Sequence, residues 1–251
     1  MGAAIAAGIL DSHTVLICEP DKKRQAYLKR KLAVRTYDVE TVVERSKYII
    51  LAVKPQNFDE ILFEIRRYLN KEKLIISIAA GITTTYIEKT LGKHARVIRC
   101  MPNLAVQVAE GMTGVCRGKS SKKSDLEQTR RIFNCIGQTV VVDEKYMDAV
   151  TAISGSGPAY LFLFIECFIN AARSLGFKKD AATKLAVQTL KGSMLLFEKS
   201  REDVSVLRQR VTSKGGTTAA ALDVFAKAKF EKIFKEAVTA AQKRAKQLAI
   251  K

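Results

Sequence analysis

The stretch Thr212-Ser213-Lys214-Gly215-Gly216-Thr217-Thr218 sets tandem glycines among hydroxyl side chains, immediately ahead of a helix-forming run. Glycine tolerates backbone conformations closed to other residues, so the N–H groups of residues 215–218 can turn together toward one point where the next helix begins. The positive end of that helix and the hydroxyls of Ser213, Thr217 and Thr218 would add to the attraction for a negative group. The chemistry this predicts is the holding of a carboxylate or phosphate; the plainer alternative is a loop that merely starts a helix. A nucleotide P-loop requires G-x-x-x-x-G-K-[ST] after a strand, a pattern absent here.

A second set of candidates lies at the ends of apolar runs. Ala52-Val53-Lys54-Pro55, Ala79-Ala80-Gly81 and Met101-Pro102-Asn103 each close a stretch rich in Val, Ile and Leu. In an open α/β sheet, ligands bind beyond the carboxyl ends of the strands. Small residues there let a flat ring or a ribose approach the backbone, and Lys54 and Asn103 offer polar groups. Nearer the start, the small-residue run Gly2-Ala3-Ala4-Ile5-Ala6-Ala7-Gly8 reads as a helix, and a short apolar strand over 14–18 ends at Glu19. A dinucleotide fingerprint places its last glycine at such a helix start and an acid about 20 residues later, a spacing that Gly2 and Glu19 fit.

These candidates need a scaffold, and the periodicities predict one. Helices are expected over 22–31, 39–45, 57–69, up to Leu91 after a cap at Thr83 or Thr84, and 125–136. Strands are expected over 48–53, 74–79, 96–100, 112–117 and 139–142. Unbroken Val/Ile/Leu strands alternating with amphipathic helices are the pattern of a parallel sheet covered on both faces. Residues 1–144 therefore read as a doubly wound, Rossmann-like α/β domain. No strand pattern follows Glu144, so 145–251 read as an all-helical domain: a helix from Pro158 to Leu175, one from a cap at Asp180 to about Lys199, a short one over 204–210, and helix from Thr218 onward with a bend near Ala228. Over 158–175 only Glu166, Asn170, Arg173 and Ser174 are clearly polar. A helix apolar on nearly every face has to be enclosed, here by a second subunit rather than a bilayer, since those polar residues fall within the roughly 20 residues of a membrane span.

Composition narrows the function classes. With 47% hydrophobic and 27% charged residues the chain is an ordinary globular protein with neither disorder nor low complexity. The formal charge of +18 is spread along helical patterns without aromatic interleaving, so no nucleic-acid partner is expected. Five cysteines, none in a C-x-x-C pair, read as reduced core residues, and two histidines leave no metal site or histidine triad to build.

The segments Ile153-Ser154-Gly155-Ser156-Gly157-Pro158-Ala159-Tyr160 and Val211 to Thr218, with the three strand ends, resemble the pyrroline-5-carboxylate reductase family over essentially the whole chain. The resemblance implies a dinucleotide-binding domain joined to a helical dimerisation domain, with dimers that build larger rings. It also implies hydride transfer from NADPH, with NADH as an alternative, to the C=N bond of 1-pyrroline-5-carboxylate, giving L-proline in the cytoplasm without a metal. Carried over by residue, Ser213, Gly215, Gly216, Thr217 and Thr218 would bind the substrate, Thr218 acting at the ring nitrogen. Met1, Glu19, Asp38, Ala52, Val53, Lys54, Pro55, Ala80 and Asn103 would line the cofactor. Met1 corresponds to the second-to-last position of the glycine fingerprint, so a chain that dimerises without catalysis is the alternative expectation. Glu19 stands where NADPH-preferring members carry a neutral residue, with Lys22, Lys23 and Arg24 beside it. Lys214 replaces the family's usual proline, and Leu104-Ala105 its Thr-Pro.

Overall fold

The computed structural model describes residues 1–249 and divides into two compact units, Met1–Pro158 together with the segment from Ala240 onward, and Ala159–Thr239. The first holds a five-stranded sheet in the order β1 (Tyr48–Leu51), β2 (Leu74–Ser77), β3 (Arg96–Pro102), β4 (Gly111–Arg117), β5 (Gly137–Val141). The pairs β1–β2, β2–β3 and β4–β5 are parallel. β4 runs antiparallel to β3, opposing Arg99 to Cys116, so the expected parallel sheet carries one antiparallel pair. The reason is length: from Pro102 to Gly111 the chain makes only a 3₁₀ turn, Leu104–Val108, and a parallel return needs a crossover of about a dozen residues or more.

Helices cover both faces, as the unbroken strands require. On one face α3 (Val39–Arg45), α4 (Phe58–Ile65) and α5 (Thr84–Leu91) press Val43, Phe58, Leu62, Ile65, Ile87 and Leu91 against Ile49, Leu51, Ile75 and Val97. On the other, α1 (Gly2–Ile9) and α6 (Lys123–Asn134) bring Ile5, Ile9, Ile132 and Phe133 onto Leu74, Ile76, Ile98 and Cys100. All four β2 residues are buried, and replacing Leu74, Ile75 or Ile76 by a polar residue would cost about 1.5–3 kcal/mol of lost apolar burial each. α2 (Lys22–Leu32) begins at the Asp21 cap and ends in the left-handed Ala33. The strand expected over 14–18 is a correction: only Ile17 pairs, in an isolated parallel bridge to Thr36 outside the sheet.

The division expected at residue 144 falls where the strands end, yet the following segment still packs with the sheet. α7 (Met147–Val150) runs into a π-turn over Thr151–Gly155, with Met147 and Ala152 buried and Ser154 Oγ 3.5 Å from the Met112 carbonyl. Two glycines allow close approach here. A side chain at Gly114 would meet Val150 at 2.5 Å, and one at Gly155 would displace the movable end of Met101, 2.8 Å away.

The second unit is all-helical: α8 (Gly157–Ser174), which the first unit's end initiates, α9 (Lys179–Ser200), α10 (Val204–Arg210), α11 (Thr217–Lys227) and α12 (Phe230–Leu248), whose last turns belong to the first unit. Pro158 occupies the first turn of α8, where its missing N–H costs nothing. The cap expected at Asp180 is corrected to Lys178, with Asp180 in the first turn instead. The bend near Ala228 is a full break, Lys229 taking a left-handed conformation between α11 and α12. Within this unit Tyr160 meets Phe234 edge-on at 6.3 Å, but no α8 residue is buried, and Leu161, Phe162, Leu163 and Phe164 all face outward. The helical run Glu144–Ser174, mean hydropathy 1.5, is long and apolar enough by length and composition to cross a bilayer.

Candidate functional site

In the sheet unit, the carboxyl ends of β1, β2 and β3 carry the expected cofactor residues. β1 ends at Leu51, leaving Ala52 and Lys54 exposed and Val53 packed on the core, while Pro55 opens the 3₁₀ turn that turns the chain into α4. The start of α1 abuts this end, since a side chain at Gly2 would lie 3.0 Å from Ala52 Cβ. After β2, Ala80 is exposed and Gly81 turns the chain with φ +75°, a conformation that strains any side chain. A Cβ at Gly81 would also sit 2.8 Å from the Leu248 carbonyl at the end of α12. After β3, Asn103 Oδ1 accepts from the amides of Ala105 and Met112, each at 3.2 Å, which fixes the side chain and leaves its amide nitrogen to donate elsewhere.

Two expected cofactor residues turn out to be engaged locally. Asp38 caps α3, accepting from the Thr41 amide at 2.7 Å, and this hydrogen bond holds its carboxyl below the usual range. Glu19 accepts from the Asp21 amide and from Arg24 Nε, both at 3.2 Å, while Gln25 Nε2 donates to the Glu19 carbonyl at 2.6 Å. The charge at Glu19 is thus already compensated by Arg24 before any ligand arrives.

The sequence analysis missed a charged cluster beneath this end of the sheet. Arg99, on β3, has a side chain only 4% exposed; its guanidinium lies 3.4 Å from Glu144 and 3.8 Å from Asp148. Glu144 also accepts from the Thr84 amide at 2.7 Å and the Thr84 hydroxyl at 2.6 Å, so one carboxylate ties the first turn of α5 to β3 and to the segment that leaves the sheet. The signal was present: an arginine in an otherwise apolar strand has to be paired if it is buried. Nearby, burial pushes the Cys116 thiol up to about 12, aided by Glu144. Among the described residues no group of three or more His, Cys, Asp or Glu side chains is placed to hold a metal ion.

In the helical unit, the loop between α10 and α11 takes the shape that tandem glycines allow. Gly215 is left-handed at φ +71°, and Gly216 is the extended N-cap of α11. No side chain caps that helix, and the amides of its first turn have no intrahelical acceptor. The Gly216 amide is the exception, donating back to the Ser213 carbonyl at 3.0 Å, and a side chain at Gly216 would strike Ser213 Oγ at 2.3 Å. The donors left for an anion are those of Gly215, Thr217, Thr218 and Ala219. Ser213, Lys214 and Thr217 are exposed and Thr218 is half-buried.

A mixed sheet with small residues at its strand ends, followed by a helical unit bearing an uncapped glycine turn, is the build of a dinucleotide-dependent oxidoreductase. Residues 1–81 match the family model described as NADP oxidoreductase coenzyme F420-dependent, and residues 144–248 match the one described as pyrroline-5-carboxylate reductase dimerisation. The pyrroline-5-carboxylate reductase of Synechocystis sp. is 37% identical, covering 100% of this chain and 96% of the relative. That of Methanosarcina acetivorans is 35% identical, covering 100% and 93%. The chain belongs to the pyrroline-5-carboxylate reductase family. Among solved structures, the Coxiella burnetii pyrroline-5-carboxylate reductase superposes with a TM-score of 0.91 at 33% identity, covering 100% of this chain and 95% of that one. The Plasmodium falciparum pyrroline carboxylate reductase, solved with NADP bound, superposes at 0.89 with 32% identity and the same coverage.

Proposed function

We propose that this reductase converts 1-pyrroline-5-carboxylate to L-proline using NADPH, with the α10–α11 loop as the substrate carboxylate site. The reaction itself follows from family membership, the relatives matching over 93–96% of their own length. The observation that carries the site is the uncapped start of α11 behind a left-handed Gly215, whose first-turn N–H groups have no side-chain acceptor among the described residues.

In this reading, the amides of Gly215, Thr217 and Thr218 and the hydroxyl of Ser213 hold the carboxylate, fixing the ring in one orientation. The Thr218 hydroxyl approaches the ring nitrogen, where it steadies the charge that changes during reduction and relays a proton to the product amine. Bound NADPH supplies the hydride. Met1, Ala52, Val53, Lys54, Pro55, Ala80 and Asn103 line its position at the strand ends, the small side chains admitting flat rings and Asn103 donating from its free amide. Asp38 contributes as the cap that holds α3 in place. For the choice of dinucleotide, the bridge from Arg24 compensates Glu19, so a 2′-phosphate meets a neutralised pair flanked by Lys22 and Lys23 rather than a bare carboxylate.

The helical unit is read as a homodimer contact, supported by the dimerisation model over 144–248 and by the outward apolar face of α8. A second subunit covers that face in place of a bilayer, and dimers then associate into a ring. The bacterial and archaeal origin of the relatives supports a cytoplasmic location. The deciding experiment follows NADPH oxidation with pyrroline-5-carboxylate, paired with calorimetric titration of NADPH and sizing of the assembly. Turnover by a dimer or larger assembly is expected. A dimer that neither binds nor oxidises NADPH would instead establish the non-catalytic alternative.

A further inference from the structure

β3 carries a guanidinium where an apolar side chain would pack as well. Arg99 stands between buried Ile98 and Cys100, opposing buried Ser77 on β2 and buried Cys116 on β4. Cys100 and Cys116 are the two buried cysteines; Cys18, Cys135 and Cys167 are exposed, which corrects the reading of all five as core residues. Replacing a buried ion pair by apolar groups of similar volume is often neutral or stabilising, so stability alone gives little reason for a charge in this strand. Holding one arrangement against its alternatives gives a better one, because a charged, forked group is directional and an apolar contact is not.

The partners show what the fork holds. Glu144 and Asp148 stand one helical turn apart and face the same guanidinium, Nη1 lying 3.4 Å from Glu144 and Nη2 3.8 Å from Asp148. Two anchors on one turn set both the place and the direction of the segment that leaves the sheet. Beyond Asp148, Val150 packs against Gly114 and the chain widens into the π-turn, where the Ser156 amide donates to the Thr151 carbonyl at 2.8 Å. Such turns are frequent at functional sites. This one sets Gly155 against Met101 and brings the Ser154 hydroxyl to the Met112 carbonyl, which also accepts from the Asn103 amide at 3.2 Å. The π-turn and the proposed cofactor residue Asn103 therefore share one acceptor at the end of β3.

We propose that Arg99 and Asp148 are positioning residues for hydride transfer. Their ion pair sets the Thr151–Gly155 turn against the end of β3, and that turn limits where the reactive ring of the dinucleotide can lie. Both residues act through the turn rather than on the reacting atoms. The proposal rests on the reading of the strand ends as the cofactor site. Transfer between two carbons is sensitive to small displacements, so a loosened turn slows the chemical step. The hold on the substrate carboxylate, assigned to the α10–α11 loop, is left as it was. Glu144 also binds Thr84, whereas the Asp148 carboxylate pairs with Arg99 alone among the described residues, so Asp148 is the cleaner position to change.

The test mixes the whole chain, preloaded with NADPH, with saturating pyrroline-5-carboxylate and follows a single turnover by the loss of NADPH absorbance. Asp148→Asn keeps the shape and removes the charge. Its first-order rate should fall about tenfold, well inside the roughly hundredfold that a 1 Å misplacement can cost. The calorimetric Kd for NADPH and the KM for pyrroline-5-carboxylate should both stay within about twofold of the parent. A first-order rate does not depend on how much of the protein is folded, so the measurement holds even where the substitution costs stability. Asp148→Glu, which restores the charge, should recover part of the rate, and Asp143→Asn, at an exposed acid of the same segment, should match the parent. An unchanged rate in Asp148→Asn, or a loss that Asp148→Glu does not lessen, would overturn the positioning role while leaving the cofactor reading intact. A parent that binds no NADPH would remove both.

Discussion

At the scale of single residues, the start of α11 and the Arg96–Asp125 pair make separable predictions. Thr218→Ala removes a hydroxyl but none of the backbone donors of the turn. It should lower kcat by about a hundredfold, the lower range for one lost proton-transfer group, while the dimer persists on a sizing column. Unchanged turnover would remove Thr218 from the chemistry. Asp125 is pushed up by burial, but hydrogen bonds from Arg96 and from the Lys122 amide outweigh this and hold it below the usual carboxylate range. Arg96 Nε and the Lys122 amide donate to Asp125 Oδ2 at 2.9 and 2.8 Å. A carboxyl lowered by folding adds stability above its unfolded value, near pH 4, and loses it as pH falls through the lower folded value. Asp125→Asn should cost about 2 kcal/mol at neutral pH and flatten the acid limb of stability, measured by urea unfolding across the acid range. At Glu19, Arg24→Ala exposes the carboxylate and should raise KM for NADPH more than for NADH; a parallel rise for both would separate this pair from cofactor choice.

At the scale of elements, the sequence disclosed most where one period dominated. The strands at 48–51 and 74–77, the helices facing them and the broken entry to α8 all follow from unbroken apolar runs and from glycine and proline positions. What it concealed were contacts between distant residues. The antiparallel turn of β4 depends on a connection too short for a crossover, and the weak pairing at Ile17 depends on what lies beside it, neither of which a local pattern encodes. The same holds for Glu144, which reads as an ordinary surface acid until its hydrogen bonds to Thr84 and Arg99 are seen. In the candidate site, the glycine turn and the small strand ends were legible because they are backbone features. The local engagement of Asp38 and Glu19 was not, because it depends on where helices α2 and α3 begin. Glu144→Ala would strip the buried guanidinium of its nearer partner and leave the Thr84 amide and hydroxyl without their acceptor. A loss of about 3 kcal/mol is expected, read as a fall in thermal midpoint, and Glu144→Gln should recover part of it by keeping the hydrogen bonds.

For the whole molecule, the exposed apolar face of α8 is the proposed assembly surface. Phe164→Glu places a charge in the middle of an apolar face that a second subunit is proposed to cover. Desolvating it there is unfavourable, so the chain should elute as a monomer while the sheet unit keeps its circular dichroism and NADPH affinity. A dimer that survives the substitution would move the contact elsewhere. Surplus positive charge works in the same direction: at +18, subunits repel at low ionic strength, and added salt should strengthen association until screening is complete.

The charged cluster under the sheet also orders events during synthesis. Arg99 is made 45 residues before Glu144. While the ribosome is adding the chain between them, β1, β2 and β3 are present but the guanidinium among them has no carboxylate to meet. The sheet is therefore expected to pack fully only once the segment through Asp148 has emerged, and hydrogen exchange on chains halted before and after Glu144 would check this.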